Sequence, residues 1–66
     1  MDIMAFNDAR IDAVRSGAPL TPEERAWLLD DVPRFEECTR TQEELVAMND
    51  ATLMTYAVSV WTDYCR

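Results

Sequence analysis

The sequence predicts a single all-α domain, a compact bundle of three to four short helices. Two capping-box patterns, at residues 21–24 and 41–44, mark helix starts, and a helix-ending residue precedes each of them, Gly17 before the first and Pro33 before the second. The apolar residues of the last segment recur with helical spacing. A chain of 66 residues has room for one domain, so residues 1–66 are expected to fold as one unit.

The first helix is predicted over residues 2–16, where Ile3, Phe6, Ile11 and Val14 lie among helix-compatible polar residues. Gly17 is expected to end it, because glycine adopts the left-handed conformation found at helix C-termini. The second helix is predicted over residues 22–32.

The start signal of the second helix is stronger than that of the first helix. Thr21 occupies the N-cap position, Pro22 the first helical position, and Glu24 lies three residues after the cap. Pro33 then ends the helix, and residues 33–40 are predicted to be a connection with one helical turn around Phe35.

The third and fourth helices are predicted over residues 41–48 and 51–65. Thr41 and Glu44 repeat the capping box, and Asn49-Asp50 provides an N-cap for a separate last helix. At about 100° per residue, the apolar side chains of the last helix span roughly 200°, which is wider than one core-facing stripe. This width predicts either a central core helix or a second contact surface.

If the wide apolar arc is a second contact surface, it predicts a homodimer. A domain this small gains stability from a partner subunit, and a wide apolar arc is a natural seam between two copies. The expected seam residues are Met54, Val58, Trp61 and Cys65.

Composition excludes several classes of function. Thirteen acidic residues oppose six basic ones, giving a formal net charge of −7, so direct binding to nucleic acid or to an anionic membrane is not expected. A basic or nucleic-acid-binding surface of a host protein is the favoured partner. The chain lacks histidine and lysine and has one glycine and two cysteines. We therefore expect no enzymatic activity, no cofactor and no metal site.

The N-terminal residues contain neither a basic segment nor an apolar one, and no apolar run approaches the roughly 18 residues of a membrane span. A cytoplasmic location is expected, with Cys38 and Cys65 reduced and serving as small hydrophobic residues.

Trp27 is the strongest single candidate for partner binding. Glu23, Glu24, Asp30 and Asp31 lie three or four residues from it along the second helix. An aromatic anchor with a charged rim is typical of an interface hot spot. The ring of acids therefore predicts an exposed Trp27 and a contact patch of these five residues. The alternative is that the first helix or the long connection covers the indole.

The acidic pairs support a second hypothesis. Pairs recur at residues 23–24, 30–31, 36–37 and 43–44. Most are explained by solvated helix faces and by pairing with helix dipoles. In the functional alternative, the carboxylates mimic nucleic-acid phosphates and occupy a DNA- or RNA-binding site.

The chain also resembles small accessory proteins encoded in the early regions of bacteriophages and prophages. The resemblance lies in small size, acidity, the segment Pro-Leu-Thr-Pro-Glu-Glu-Arg at 19–25, and the pattern Leu-Met-x-x-Ala-x-x-Val-Trp-x-x-Tyr at 53–64. It covers about half of the chain. It implies a non-catalytic protein that acts on host machines such as CRISPR complexes, transcription regulators or polymerases.

The expected function is therefore that of a phage-encoded inhibitor, which binds a host defence complex or transcription regulator and blocks it sterically. The alternatives are an acidic nucleic-acid mimic, and a small regulatory or structural subunit of a larger assembly.

Overall fold

The computed structural model describes residues 6–65, which form four α-helices and one short 3-10 turn. The helices are α1 (Asp8–Arg15), α2 (Pro22–Asp31), α3 (Gln42–Ala47) and α4 (Asp50–Tyr64), and the 3-10 turn is Val32–Arg34. The described residues contain no strand, which confirms the all-α prediction. No helix in this part of the chain combines the length and apolar character needed to cross a membrane.

The first helix is shorter than predicted. Asn7 is its N-cap, because the Asn7 side chain accepts a hydrogen bond of 2.7 Å from the Arg10 amide and its own backbone is extended. Phe6 and Asn7 therefore precede α1, and the predicted start is wrong for these two residues. Residues 2–5 of the predicted helix, including Ile3, lie outside the described residues.

The other three helices agree with prediction to within one residue at each end. In α2, Thr21 Oγ1 accepts from the Glu24 amide at 3.1 Å, and the Glu24 carboxylate accepts from the Thr21 amide at 2.8 Å. The same reciprocal pair forms between Thr41 and Glu44 at the start of α3. Asn49 caps α4, which makes α3 and α4 separate helices as predicted.

Gly17 ends α1 for a reason of backbone conformation. Its φ is +118°, a value that residues with a side chain rarely adopt, and apart from Gly17 and its two chain neighbours no heavy atom of the described residues lies within 4 Å of the position that a Cβ would occupy. Space is therefore not the constraint at this position.

Helix α4 is the central helix of the core. Five of its residues are buried, and it packs against α1 and α2. The wide apolar arc of the last helix is thus explained mainly by the protein's own core. The buried apolar side chains are Phe6, Ile11, Val14, Leu20, Leu28, Val32, Leu45, Leu53, Met54, Ala57, Val60 and Trp61.

A network around Arg25 and Asp50 joins α2 to the junction of α3 and α4. Arg25 Nη1 donates to Asp50 Oδ1 at 2.8 Å, and Arg25 Nη2 donates to the carbonyls of Val46 and Met48 at 2.9 and 2.7 Å. The second Asp50 oxygen accepts from the Leu20 amide at 2.9 Å. Carbonyls at a helix C-terminus have no partner within their own helix, and Arg25 satisfies them here.

Trp61 gives a direct test of the core. It is 3% exposed, and its indole Nε1 is buried without a hydrogen-bond partner. We expect Trp61→Ala to lower the free energy of unfolding by about 3–5 kcal/mol. Trp61→Phe should change the free energy of unfolding by only about 1 kcal/mol. The smaller ring packs less well, but the substitution also removes a buried donor whose desolvation costs about 1–3 kcal/mol. Urea denaturation followed by circular dichroism measures both, and equal losses for the two variants would contradict this assignment.

Candidate functional site

Trp27 lies at the boundary between the core and the solvent. Its side chain is half-buried and packs against the core. The ring of Phe6 contacts it at a centroid distance of 5.4 Å and an interplanar angle of 38°. Trp27 thus lies between the predicted exposed position and the alternative covered one, because Phe6 contacts part of the indole. The rest of the indole faces outward.

The predicted ring of acids divides into two pairs around Trp27. At about 100° per residue, Glu24 and Asp31 lie roughly 60° and 40° from Trp27 on the side of Leu28, which is fully buried. Glu23 and Asp30 lie roughly 40° and 60° away on the opposite side. Burial follows this division, since Asp31 is 8% exposed and Glu24 is half-buried, whereas Glu23 and Asp30 are exposed.

Glu24 holds α1 against α2 rather than facing a partner. Its carboxylate accepts from Arg10 Nη2 at 2.6 Å and from Arg10 Nε at 3.1 Å, and Arg10 Nη2 also donates to the Pro19 carbonyl at 2.9 Å. Two hydrogen bonds lower the pKa of Glu24 to about 2; the larger effect comes from Arg10 and the next from the Thr21 amide.

The side chains that remain available on α2 are Trp27, Glu23 and Asp30, which we call the Trp27 patch. Asp30 is paired with Arg34 at 3.2 Å, but the side chains of Asp30 and Arg34 are 68% and 70% exposed. Such exposed pairs contribute only about 0–1 kcal/mol. A helical wheel drawn from the sequence already separates the two pairs of acids, because Leu28 marks the side of α2 that faces the core.

The surface stays acidic because most arginines are already used in ion pairs. Four of the five arginines within residues 6–65 pair with a carboxylate, the partners being Glu24, Asp50, Asp30 and Glu44. Exposed carboxylates with no arginine within salt-bridge distance remain on α1, α2, the connection and α3. They are Asp8, Asp12, Glu23, Glu36 and Glu43.

A groove on the outer face of α4 is a second surface feature, which the sequence analysis did not anticipate. Its volume is about 490 Å³. Tyr56 forms one wall, and its hydroxyl accepts from the Thr39 amide at 2.9 Å and donates to Cys38 Sγ at 3.6 Å. Tyr56 thereby holds the connection against α4. The lining residues are Arg40, Met48, Ala51, Thr52, Thr55, Tyr56 and Ser59.

The predicted dimer-seam residues are not all on the surface. Met54 is fully buried and Trp61 is 3% exposed, so both pack inside the chain's own core and present no surface to a second copy. The seam prediction is corrected for these two residues. Val58 is half-buried and Cys65 is exposed, so they remain available on α4 and beyond its end.

A capping box and an ion pair shift the pKa of two further groups. The Thr41 amide lowers the pKa of Glu44 through the capping box, and the pKa of Arg10 is raised by its hydrogen bond to Glu24. Within residues 6–65 no group of three His, Cys, Asp or Glu side chains is placed to hold a metal ion, and Cys38 and Cys65 are free thiols.

Comparison with known protein families, characterised proteins and solved structures found no match.

The Arg10–Glu24 pair predicts a defined acid sensitivity. The pKa of Glu24 is about 2 in the folded protein and ordinarily 4.5, so the stabilisation is present above 4.5 and lost as the pH falls towards 2. Glu24→Gln should therefore lower the free energy of unfolding by about 1 kcal/mol at pH 7, with the difference from wild type closing between these two pH values. Thermal melts across this range measure the difference. Glu23→Gln, which alters an exposed neighbour, is the control, and a pH-independent gap for Glu24→Gln would contradict the assignment.

Proposed function

We propose that this protein is a non-catalytic binding protein, which attaches to a basic surface of another protein through the Trp27 patch. The observation that carries the proposal is a half-buried tryptophan, positioned by Phe6, beside two exposed carboxylates in a chain of net charge −7.

The packing of Trp27 supports this role. An aromatic residue contributes most to an interface when its conformation is fixed before binding, since little side-chain entropy is then lost. The contact with Phe6 and the packing against the core hold the indole in place while part of it stays accessible. Glu23 and Asp30 supply the charged rim.

Electrostatics supports a basic partner. The net negative field accelerates the approach of a basic surface and opposes that of an acidic one. Glu23 has no arginine partner, and Asp30 is held only by the exposed pair with Arg34. Both carboxylates can therefore engage an incoming cation at small cost.

The biological setting is a further part of the proposal. We place the protein in the cytoplasm of a bacterial host as a phage-encoded inhibitor that covers a functional surface of a defence complex or transcription regulator. The resemblance of residues 19–25 and 53–64 to phage accessory proteins supports this setting. Steric blocking fits a chain whose titratable clusters serve helix caps and ion pairs.

We also propose that two copies associate through the outer side of α4. Between Asp50 and Asp63 this helix carries no charged residue, so two copies can approach there without placing acids opposite each other. The hydroxyl of Thr62 already donates to the Val58 carbonyl at 2.8 Å, and burying it would leave no unsatisfied donor. Val58 and Cys65 are the predicted seam residues that this face retains.

The Trp27 patch is tested by capture from a bacterial lysate with two charge-matched variants. Glu23→Gln with Asp30→Asn should reduce recovery of the bound protein about tenfold or more, as expected for hot-spot residues. Glu36→Gln with Glu43→Gln removes the same charge elsewhere and should leave recovery nearly unchanged. Quantitative mass spectrometry measures recovery, and equal losses for the two variants would exclude the patch.

Salt dependence separates this proposal from nucleic-acid mimicry. If Trp27 carries most of the affinity, raising the salt should weaken binding by no more than about the tenfold that the patch carboxylates contribute, and the rest should persist to near-molar salt, because the contact with the indole is not screened. Binding that disappears at moderate salt and responds equally to both charge-matched variants would instead indicate that the dispersed carboxylates act as a phosphate mimic.

The association of two copies predicts a dimer in sedimentation at micromolar concentration. Thr62→Glu alters only an exposed residue and should shift the protein to monomer without unfolding it, whereas Val58→Asp should do so with some loss of stability. A wild-type chain that remains monomeric at high micromolar concentration would rule out the dimer.

A further inference from the structure

We infer that the Trp27 patch receives an arginine side chain of the partner in preference to a lysine. This inference rests on the proposed function and specifies the chemistry of that same site. It follows from the combination of a flat aromatic surface with two carboxylates on one side of it.

The arrangement along α2 matches the shape of a guanidinium group. Glu23 lies four residues before Trp27 and Asp30 three residues after it; on the helical wheel both fall on the side of Trp27 away from Leu28, and both are exposed. Seven residues of helix span about 10 Å, so a group stacked on Trp27 lies between the two carboxylates. The Phe6 ring supports the indole and leaves part of it accessible.

The patch already binds one guanidinium at its edge. Arg34 Nη2 donates to the two Asp30 oxygens at 3.2 and 3.5 Å, in an exposed pair whose side chains are about 70% accessible, at 70% and 68%. Because such pairs are worth little, an incoming arginine replaces Arg34 without a large loss. Among residues 6–65, Glu23 has no such arginine partner.

Arginine uses this geometry better than lysine does. A guanidinium is planar, stacks on an indole, and presents donors at several positions around its rim, whereas an ammonium is a compact and strongly hydrated charge. Only the guanidinium contacts the indole face while donating to carboxylates on either side of it. A cation–π contact at a partly exposed site is worth about 0.5–1 kcal/mol, which corresponds to a preference of about two- to fivefold.

The test uses the wild-type protein and three acetylated peptide amides of equal length, carrying several arginines, lysines or citrullines at the same positions. The indole N–H resonance of Trp27 reports binding in NMR titrations, and that of Trp61, which is 3% exposed, serves as the internal reference. We expect the arginine peptide to shift the Trp27 resonance and bind about two- to fivefold more tightly than the lysine peptide. The neutral citrulline peptide should leave the resonance unchanged.

The variants connect the result to the patch. Glu23→Gln with Asp30→Asn should weaken the arginine peptide and reduce its preference over lysine, while Glu36→Gln with Glu43→Gln should preserve the preference. Equal affinities for arginine and lysine would overturn this inference and leave the basic-surface function standing. If neither peptide moved the Trp27 resonance, the proposed function would fail as well.

Discussion

The arrangement of the helices depends on the interaction between Arg25 and Asp50. This ion pair has a separation of 2.8 Å, and the two side chains are 27% and 29% exposed, so it is less screened than the pairs on the surface. Arg25 also satisfies two carbonyls at the end of α3, and Asp50 accepts from the Leu20 amide before α2. One pair of side chains thus fixes the start of α2, the end of α3 and the start of α4 relative to one another.

The position of α4 determines what the surface can offer. With its first turn held by Arg25, α4 directs its apolar arc into the core against α1 and α2. Its outer face is left with threonine and serine, and Thr55 donates to the Ala51 carbonyl at 2.9 Å. Hydroxyls bonded within the helix make this face weakly polar without making it charged. The acidic character of the protein is therefore concentrated on the other helices, including the face of α2 that carries Trp27.

Local signals in the sequence predicted the helices, and tertiary contacts decided the rest. The Thr21–Glu24 capping box acts within three residues and is readable directly, which is why α2 was predicted closely. Asn7 caps α1 through the Arg10 amide, but the apolar pattern that included Ile3 and Phe6 set the predicted start of this helix earlier. The pair of Arg25 and Asp50 joins residues 25 positions apart, and no periodicity or local motif specifies such a partner.

The candidate site shows the same limit. Spacing placed four acids around Trp27, and the direction of Leu28 on the helical wheel divided them into two pairs, but the pairing of Glu24 with Arg10 is a tertiary contact that no local pattern specifies. The half-buried position then links two properties of Trp27. Its contact with Phe6 stabilises a domain that, at this size, has little stability to spare, and in the proposed function the same contact holds the indole ready for a partner. The proposed function therefore couples stability and binding at Trp27 itself, whereas substitutions of the exposed carboxylates beside it are expected to affect binding alone.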